Sequence, residues 1–172
     1  MIPVLNGTRV RLRGFTWADF PAFADMWDDA DLTKFIPFAP VSPGMSWGRF
    51  NLNNYRWVRD GFGNWAVVDH DDSFLGATGF FKNPNAGMGA EYDAGIQSGW
   101  VFSRAARGHG YASEAVELAH AWFDRQQFGG VSYCGIAAEN GPSIRIGEKA
   151  GYQHLATIDD QSGTSLTMKR VI

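Results

Sequence analysis

The chain has 172 residues, 45% of them hydrophobic and 19% charged, and its formal net charge is −3. It is long enough for one sizeable core and too apolar to be disordered, so we predict a single domain over residues 1–172. It has no basic stripe or tail and no apolar run long enough to cross a bilayer, which argues against nucleic acid and membranes as partners. One cysteine, Cys134, cannot form an intramolecular disulfide, and this favours a cytoplasmic location.

The first half of the chain alternates between extended and helical patterns. Arginines that alternate with apolar residues predict a strand over residues 8–13. Apolar residues at helical spacing predict helices over residues 16–27 and 46–60, and the prolines between these segments interrupt any continuous helix. Two apolar runs on either side of a polar turn, residues 65–68 and 74–81, predict an antiparallel hairpin.

The second half continues the alternation. An extended segment is predicted over residues 91–102, then a loop rich in glycine and arginine, then a helix over residues 111–128 that Gly129 ends. The remaining predicted elements are a strand over residues 131–137, a helix over residues 141–150, and strands over residues 152–158 and 164–171. This order predicts one α/β (α+β) domain with a mixed, mostly antiparallel sheet of about seven strands, flanked by about four helices.

The loop before the helix at residue 111 carries the first chemical signal. Gly108 and Gly110 join a strand to a helix start, where unpaired backbone N–H groups and the helix dipole favour a phosphate or pyrophosphate. The spacing matches neither a P-loop nor a dinucleotide-binding fingerprint. A plain strand-to-helix turn that needs flexible residues is the structural alternative.

Three segments together resemble the GCN5-related N-acetyltransferases. Residues 107–112, read Arg-Gly-His-Gly-Tyr-Ala, match the acetyl-CoA signature Gln/Arg-x-x-Gly-x-Gly/Ala of that family. Residues 140–152 match the block Asn-x-x-Ser-Ile-Arg followed by Glu-Lys-x-Gly-Tyr, in the version of the ribosomal-protein N-terminal acetyltransferases. Residues 9–13, followed by an amphipathic helix, are similar to the opening of that subgroup.

The resemblance implies an enzyme that moves an acetyl group from acetyl-CoA to a primary amine by direct attack on the thioester. In such a fold two central strands splay apart, and pantetheine pairs with the backbone in the gap, here at Val101 and Phe102. Asn140 and Ser143 lie beside the cofactor arm, and Ser143 donates a hydrogen bond to the leaving thiolate. The pyrophosphate is held by backbone N–H groups of the loop residues Arg107, Gly108, His109, Gly110, Tyr111 and Ala112.

The catalytic groups are less clear from the sequence than the cofactor loop. Glu91 and Asp93 stand two apart, so on a strand they would share one face, and either could take a proton from the amine through water. Both are equally compatible with exposed acids at a strand end, and Asn140 with a simple helix cap. Many family members have a tyrosine as proton donor where this chain has Gly147, so Ser143 or water would carry that role.

The sequence does not single out one acceptor or one partner. Phe35, Phe38 and Trp47 flank the proline-rich loop and are our candidates for binding the amine, which is either a small molecule or a protein N-terminus. No grouping of ligands has metal spacing, so we expect no metal. The family often forms homodimers, which makes a homodimer an expectation here. A catalytically silent acyl-CoA-binding or sensor module is the alternative function.

Overall fold

Eight strands in the part of the chain that the structure describes form one sheet. The computed structural model describes residues 1–36, 42–161 and 163–172. The strands are β1 (Leu5–Asn6), β2 (Arg11–Arg13), β3 (Asn64–Val68), β4 (Phe74–Phe81), β5 (Gln97–Phe102), β6 (Val131–Ala137), β7 (Gln153–Asp160) and β8 (Gly163–Val171). They lie in the order β1-β2-β3-β4-β5-β6-β8-β7, and each neighbouring pair is antiparallel except β5 and β6. The predicted mixed, mostly antiparallel sheet is therefore confirmed.

Some of the helices begin at side-chain caps that the sequence supplies. The helices are α1 (Phe20–Asp28), α2 (Ala30–Thr33), α3 (Pro43–Asp60), α4 (Ala90–Ala94), α5 (Tyr111–Asp124) and α6 (Gly141–Lys149), with 3₁₀ turns at Trp17–Asp19 and Arg104–Ala106. The Ser42 hydroxyl accepts a hydrogen bond from the N–H of Met45, and Pro43 stands at the first turn of α3, where its missing N–H costs nothing. None of the helices in residues 1–36, 42–161 and 163–172 is long and apolar enough to span a membrane.

Each face of the sheet has its own apolar layer. Successive side chains on a strand point to opposite faces, so Trp65 and Ala66 of β3 enter different clusters. Trp65 belongs to the cluster that holds Phe123 of α5. Ala66 belongs to the cluster that holds Phe23 of α1 and Phe50 of α3. The sheet is therefore covered on both faces, and its central strands are fixed in place.

The sheet opens at its only parallel neighbours in the described residues. β4 and β5 keep six registered pairs, from Gly76 with Phe102 to Phe81 with Gln97. β5 and β6 keep a single pair, Gln97 with Tyr133, and diverge beyond it. Because the strands separate towards residues 100–102, a V-shaped gap forms on that side of β5. This gap is the central splay expected from the family resemblance.

One predicted element is wrong in a way that matters for the site. Residues 91–102 were expected to be extended, but Ala90–Ala94 forms α4 and the strand begins only at Gln97. The Asp93 carboxylate accepts hydrogen bonds from the N–H groups of Gly87 and Met88, both at 3.1 Å, and so folds this segment into a turn. The predicted placement of Glu91 and Asp93 on one face of a strand is therefore wrong.

Further boundaries differ from prediction, and two examples lie in the first predicted strand and in α5. The strand expected over residues 8–13 is confined to Arg11–Arg13, and the short β1 before it was not predicted. The helix expected to continue to residue 128 ends at Asp124, although Gly129 does adopt a left-handed conformation, with φ of 95°. Both differences lie at element ends, where local sequence patterns are weakest.

Candidate active site

The splay opens into a cleft of about 800 Å³. One wall is β5 at residues 100–102, and the facing wall is β6 at residues 135–137 together with the start of α6. The loop before α5 closes one end, and residues from segment 31–36 lie at the mouth. The predicted cofactor residues Val101, Phe102, Arg107, Gly108, Gly110, Ala112, Asn140 and Ser143 all line this cleft. His109 and Tyr111 belong to the same loop, but they do not line it.

The loop at the end of the cleft has the backbone shape of an anion site. Gly108 and Gly110 both lie in the left-handed region, with φ of 78° and 76°, which other L residues adopt only with strain. Gly110 is the residue that precedes α5, and no side chain caps this helix start. The first N–H groups of α5 are therefore free to bind a negatively charged ligand at the positive end of the helix dipole.

Arg9 holds this loop through hydrogen bonds to the loop backbone and to α5, a role that the sequence did not reveal. Its guanidinium donates a hydrogen bond to the carbonyl oxygen of His109 at 2.6 Å. The same side chain pairs with Glu114 of α5 at 2.8 Å, and the Arg9 backbone N–H donates to the other oxygen of Glu114 at 2.9 Å. A Cβ at Gly110 would lie 3.2 Å from the Arg9 guanidinium, so the glycine also permits this close approach.

Ion pairs cross the mouth of the cleft. Arg104 pairs with Asp31 and with Asp29, the latter at 3.5 Å, and Arg107 lies 3.8 Å from Asp29. The Arg104 side chain is 68% exposed, so solvent screens these pairs and each contributes little to stability. A phosphate group at the loop could therefore take Arg107 from Asp29 at little cost.

Asn140 and Ser143 sit together where α6 begins. The Asn140 side-chain oxygen accepts the N–H of Ser143 at 3.2 Å, so Asn140 does cap this helix. The Ser143 hydroxyl oxygen accepts a hydrogen bond of 2.7 Å from the indole N–H of Trp100 on β5. Both residues also line the cleft, so capping and cofactor contact are compatible rather than competing roles.

Gly147 is buried on α6 and faces the same indole. A Cβ at this position would lie 3.6 Å from Trp100 Cη2, and about as far from Ile136 Cδ1 and Met168 Sδ, at 3.5 and 3.6 Å. These are ordinary contact distances, so the space beyond the glycine is already filled. An alanine Cβ would fit at residue 147, and a larger side chain would extend towards these three neighbours, the Trp100 indole among them.

Neither predicted carboxylate base reaches the cleft lining. Glu91 accepts hydrogen bonds from the Tyr133 hydroxyl at 3.0 Å and from the Lys169 ammonium at 2.7 Å. These two donors lower the pKa of Glu91. Asp93 is occupied by the backbone N–H groups described above. Among the residues that the structure describes, Asp31 is the one carboxylate that lines the cleft.

The three candidates for acceptor binding are placed differently. Phe35 lines the mouth of the cleft, and the Lys34 ammonium lies 4.8 Å from the centre of its ring. Trp47 lies outside the lining and stacks on Trp17, with ring centres 5.2 Å apart. Phe38 falls outside the described residues.

The cleft between the two splayed strands, with an uncapped helix start at one end, could hold a long ligand that carries phosphates. A sequence model described as "Acetyltransferase (GNAT) domain" matches residues 9–153. The chain belongs to this GNAT family. It is an N-acetyltransferase, and acetyl-CoA is its acyl donor.

Solved structures share the fold over nearly the whole chain. A GnaT-family acetyltransferase from Bordetella pertussis is 22% identical, covers 98% of this chain and 99% of its own, and has a TM-score of 0.84. The Salmonella typhimurium enzyme that modifies the N-terminal serine of ribosomal protein L7/L12 is 12% identical, with 99% of each chain covered and a TM-score of 0.80. Spermidine N-acetyltransferase from Vibrio cholerae, in complex with CoA and spermine, is 12% identical, with 96% of each chain covered and a TM-score of 0.77.

Proposed function

We propose that this enzyme acetylates a primary amine by direct attack of the amine on the thioester of acetyl-CoA, within the cleft between β5 and β6. One observation supports this proposal most strongly: a single cleft joins the uncapped start of α5 to the Ser143 hydroxyl. The cleft therefore connects the proposed phosphate site with the proposed proton donor. Direct transfer also needs no nucleophile from the protein, and Cys134 is buried away from this lining.

The cofactor would bind along the length of the cleft. The backbone N–H groups of residues 107–112 hold the pyrophosphate, with His109 and Tyr111 contributing through their backbone. The freed backbone of Val101 and Phe102 pairs with pantetheine, because β5 has lost its strand partner on that side. Asn140 and Ser143 then lie beside the thioester end.

The reaction forms a C–N bond and breaks the C–S bond. A neutral amine attacks the carbonyl carbon, and a backbone N–H near Val101 stabilises the oxyanion. The electron pair of the C–S bond passes to sulfur, and the Ser143 hydroxyl donates a hydrogen bond to the developing thiolate. Glu91 and Asp93 remain our candidates for the base that, through water, converts the ammonium form of the acceptor into the neutral amine before attack. Glu91→Gln and Asp93→Asn, assayed separately, measure this contribution as a change in the pH dependence of kcat.

The acceptor enters past Phe35 in this proposal. Asp31 lines the same opening, where it pairs with Arg104, and Phe38 and Trp47 are proposed to extend the contact with the acceptor. Relatives of the same fold act on a protein N-terminus in one case and on spermidine in another. A panel of polyamines, amino acids and short peptides, with release of free CoA as the readout, distinguishes these two classes of acceptor.

A pair of variants at Gly108 tests the phosphate end of the cleft. A Cβ at this position meets no atom within 4 Å, and both Asn and Asp tolerate its left-handed backbone better than other side chains do. Gly108→Asn and Gly108→Asp therefore carry similar strain and differ in charge. A carboxylate about 5 Å from a phosphate costs about 1–3 kcal/mol at effective dielectric constants of about 80 to 20, or about 5- to 150-fold in Kd.

We expect Gly108→Asp to bind acetyl-CoA about 5- to 150-fold more weakly than Gly108→Asn. Titration calorimetry at low salt measures both affinities. Circular dichroism checks that both variants fold. Equal affinities for the two variants would show that the phosphates do not bind at this loop.

A silent acyl-CoA-binding module, the alternative that the sequence left open, does not agree with membership of an acetyltransferase family. Release of free CoA with any amine in the panel would exclude it directly.

The cellular setting completes the proposal. We propose that the enzyme works in the cytoplasm, which the free and buried thiol of Cys134 supports. We also propose a homodimer, in keeping with the habit of the family. Sedimentation velocity at micromolar concentration measures this association directly.

A further inference from the structure

Trp100 links the two walls of the cleft. It lies on β5 opposite Thr78 of β4, three residues beyond the last registered pair with β6. Its indole reaches across the splay to α6, where the N–H donates to the Ser143 hydroxyl oxygen at 2.7 Å. We propose that Trp100 is a positioning residue that holds Ser143 ready to protonate the thiolate of CoA. This inference rests on the proposed function. It identifies what takes the place of the tyrosine that many family members have at the position of Gly147.

The direction of the hydrogen bond carries the argument. An indole N–H is a donor only, so the Ser143 oxygen must accept, and its own hydrogen is left for another partner. The Ser143 backbone N–H is already bound by Asn140, so the hydroxyl is not needed to cap the helix. Within the described residues, the hydroxyl makes no hydrogen bond besides the one to Trp100. The hydrogen is therefore free to bind a thiolate in the cleft.

The surroundings hold the indole in one position. Trp100 packs against the buried cluster that contains Ile136, Tyr152 and Met168. A Cβ at Gly147 would lie 3.6 Å from Cη2 of the indole. Gly147 therefore makes room for the indole, and the indole fills the space that a larger side chain at residue 147 would occupy. The position of the Trp100 indole therefore depends on the small size of Gly147.

This arrangement suits a proton relay. As the C–S bond breaks, the sulfur takes the hydrogen of the Ser143 hydroxyl. The Ser143 oxygen takes in turn the proton that the attacking nitrogen must lose, so the hydroxyl is restored. The Trp100 N–H stabilises the negative charge that develops on the Ser143 oxygen between these transfers. Trp100 itself neither gains nor loses a proton.

A double-mutant cycle tests the proposal. Trp100→Phe keeps an aromatic ring and removes the N–H, while Ser143→Ala removes the hydroxyl. With an acceptor found in the amine panel, we expect Trp100→Phe to lower kcat about 10- to 100-fold and to leave the Kd of acetyl-CoA within about 3-fold. In the Ser143→Ala background, the same change should alter kcat by less than about 3-fold. Ser143→Thr, which keeps the hydroxyl, should retain most of the activity.

A purely structural role for Trp100 gives a different pattern. In that case Trp100→Phe lowers kcat by the same factor whether Ser143 is present or not, or lowers only the affinity and the melting temperature. Either pattern overturns the proposal, as does an unchanged kcat. If Trp100→Phe fails to fold, Gly147→Leu displaces the indole with Trp100 intact, and its loss of kcat should likewise require Ser143.

A failure of the proposed function can be distinguished from a failure of this inference about Trp100. A wild-type protein that binds acetyl-CoA and releases no CoA with any amine refutes the proposed function before the cycle begins, and this inference falls with it. Wild-type turnover that Trp100→Phe leaves unaffected refutes the inference and leaves the proposed function standing.

Discussion

A buried histidine makes the stability of this enzyme depend on pH. His120 lies on α5 with 3% of its surface exposed. Its Nδ1 is 2.7 Å from the Val116 carbonyl oxygen, so Nδ1 carries the hydrogen of the neutral ring. Its Nε2 then accepts from the Tyr152 hydroxyl at 3.0 Å, and that hydroxyl lies 2.8 Å from the Ser132 hydroxyl. With the imidazole neutral, each of these groups has a hydrogen-bond partner.

Burial lowers the pKa of His120 from 6.5 to about 4. The unfolded chain therefore binds a proton at this residue as the pH falls below 6.5, whereas the folded chain does not until about pH 4. Because the unfolded state binds more protons, the free energy of unfolding rises with pH in this window and is fully restored above pH 6.5. The difference of about 2.5 pKa values corresponds to about 3 kcal/mol of stability lost between pH 6.5 and 4.

Urea unfolding of the wild type and of His120→Gln, at several pH values from 7 to 4, measures this contribution. The glutamine does not titrate, so carboxylates that protonate in the same range affect both proteins equally. We expect the stability advantage of the wild type to shrink by about 3 kcal/mol on acidification. Parallel stability profiles for the two proteins would refute the assignment of a depressed His120 pKa.

Two further predictions concern the thiol and the loop. Burial raises the pKa of Cys134, which is 1% exposed, so the native enzyme should react with a disulfide reagent at least about 100-fold more slowly than the urea-unfolded chain. Rapid labelling of the native protein would contradict that burial. Arg9→Ala removes the donor to the His109 carbonyl and should weaken acetyl-CoA binding about 5-fold. Arg11→Ala is the control, since its guanidinium pairs with Asp72, and equal effects of the two changes would argue against a supporting role for Arg9.

The cofactor side of the cleft could be predicted because its chemistry is local. Gly108 and Gly110 lie two residues apart at a helix start, and Asn140 caps the helix that holds Ser143 three residues later. Such short spacings fix the backbone shape without help from the rest of the chain. The hairpin of β3 and β4 followed from two apolar runs on either side of a polar turn, which is also a local pattern.

The acidic candidates show where local patterns fail. Glu91 and Asp93 alternate with other residues in a way that suits a strand, yet contacts of Asp93 with Gly87 and Met88 fold the segment into a helix. The buried Gln97 fixes the exit from that helix by donating to the Tyr92 carbonyl at 2.7 Å. A five-residue element of this kind has too little pattern to compete with such contacts.

The family, the glycine loop and the capped start of α6 could be recognised in the sequence alone, because each depends on residues that are close together in the chain. The residues that surround these features depend on the three-dimensional fold. Trp100 and Ser143 are 43 positions apart in the chain, and Arg9 and His109 are 100 positions apart. Sequence spacing carries no information about such pairs, because the sheet and the packing of its helices bring them together. Gly147 is the clearest case: as sequence it is a missing tyrosine, and in the fold it is the space that the indole of Trp100 fills.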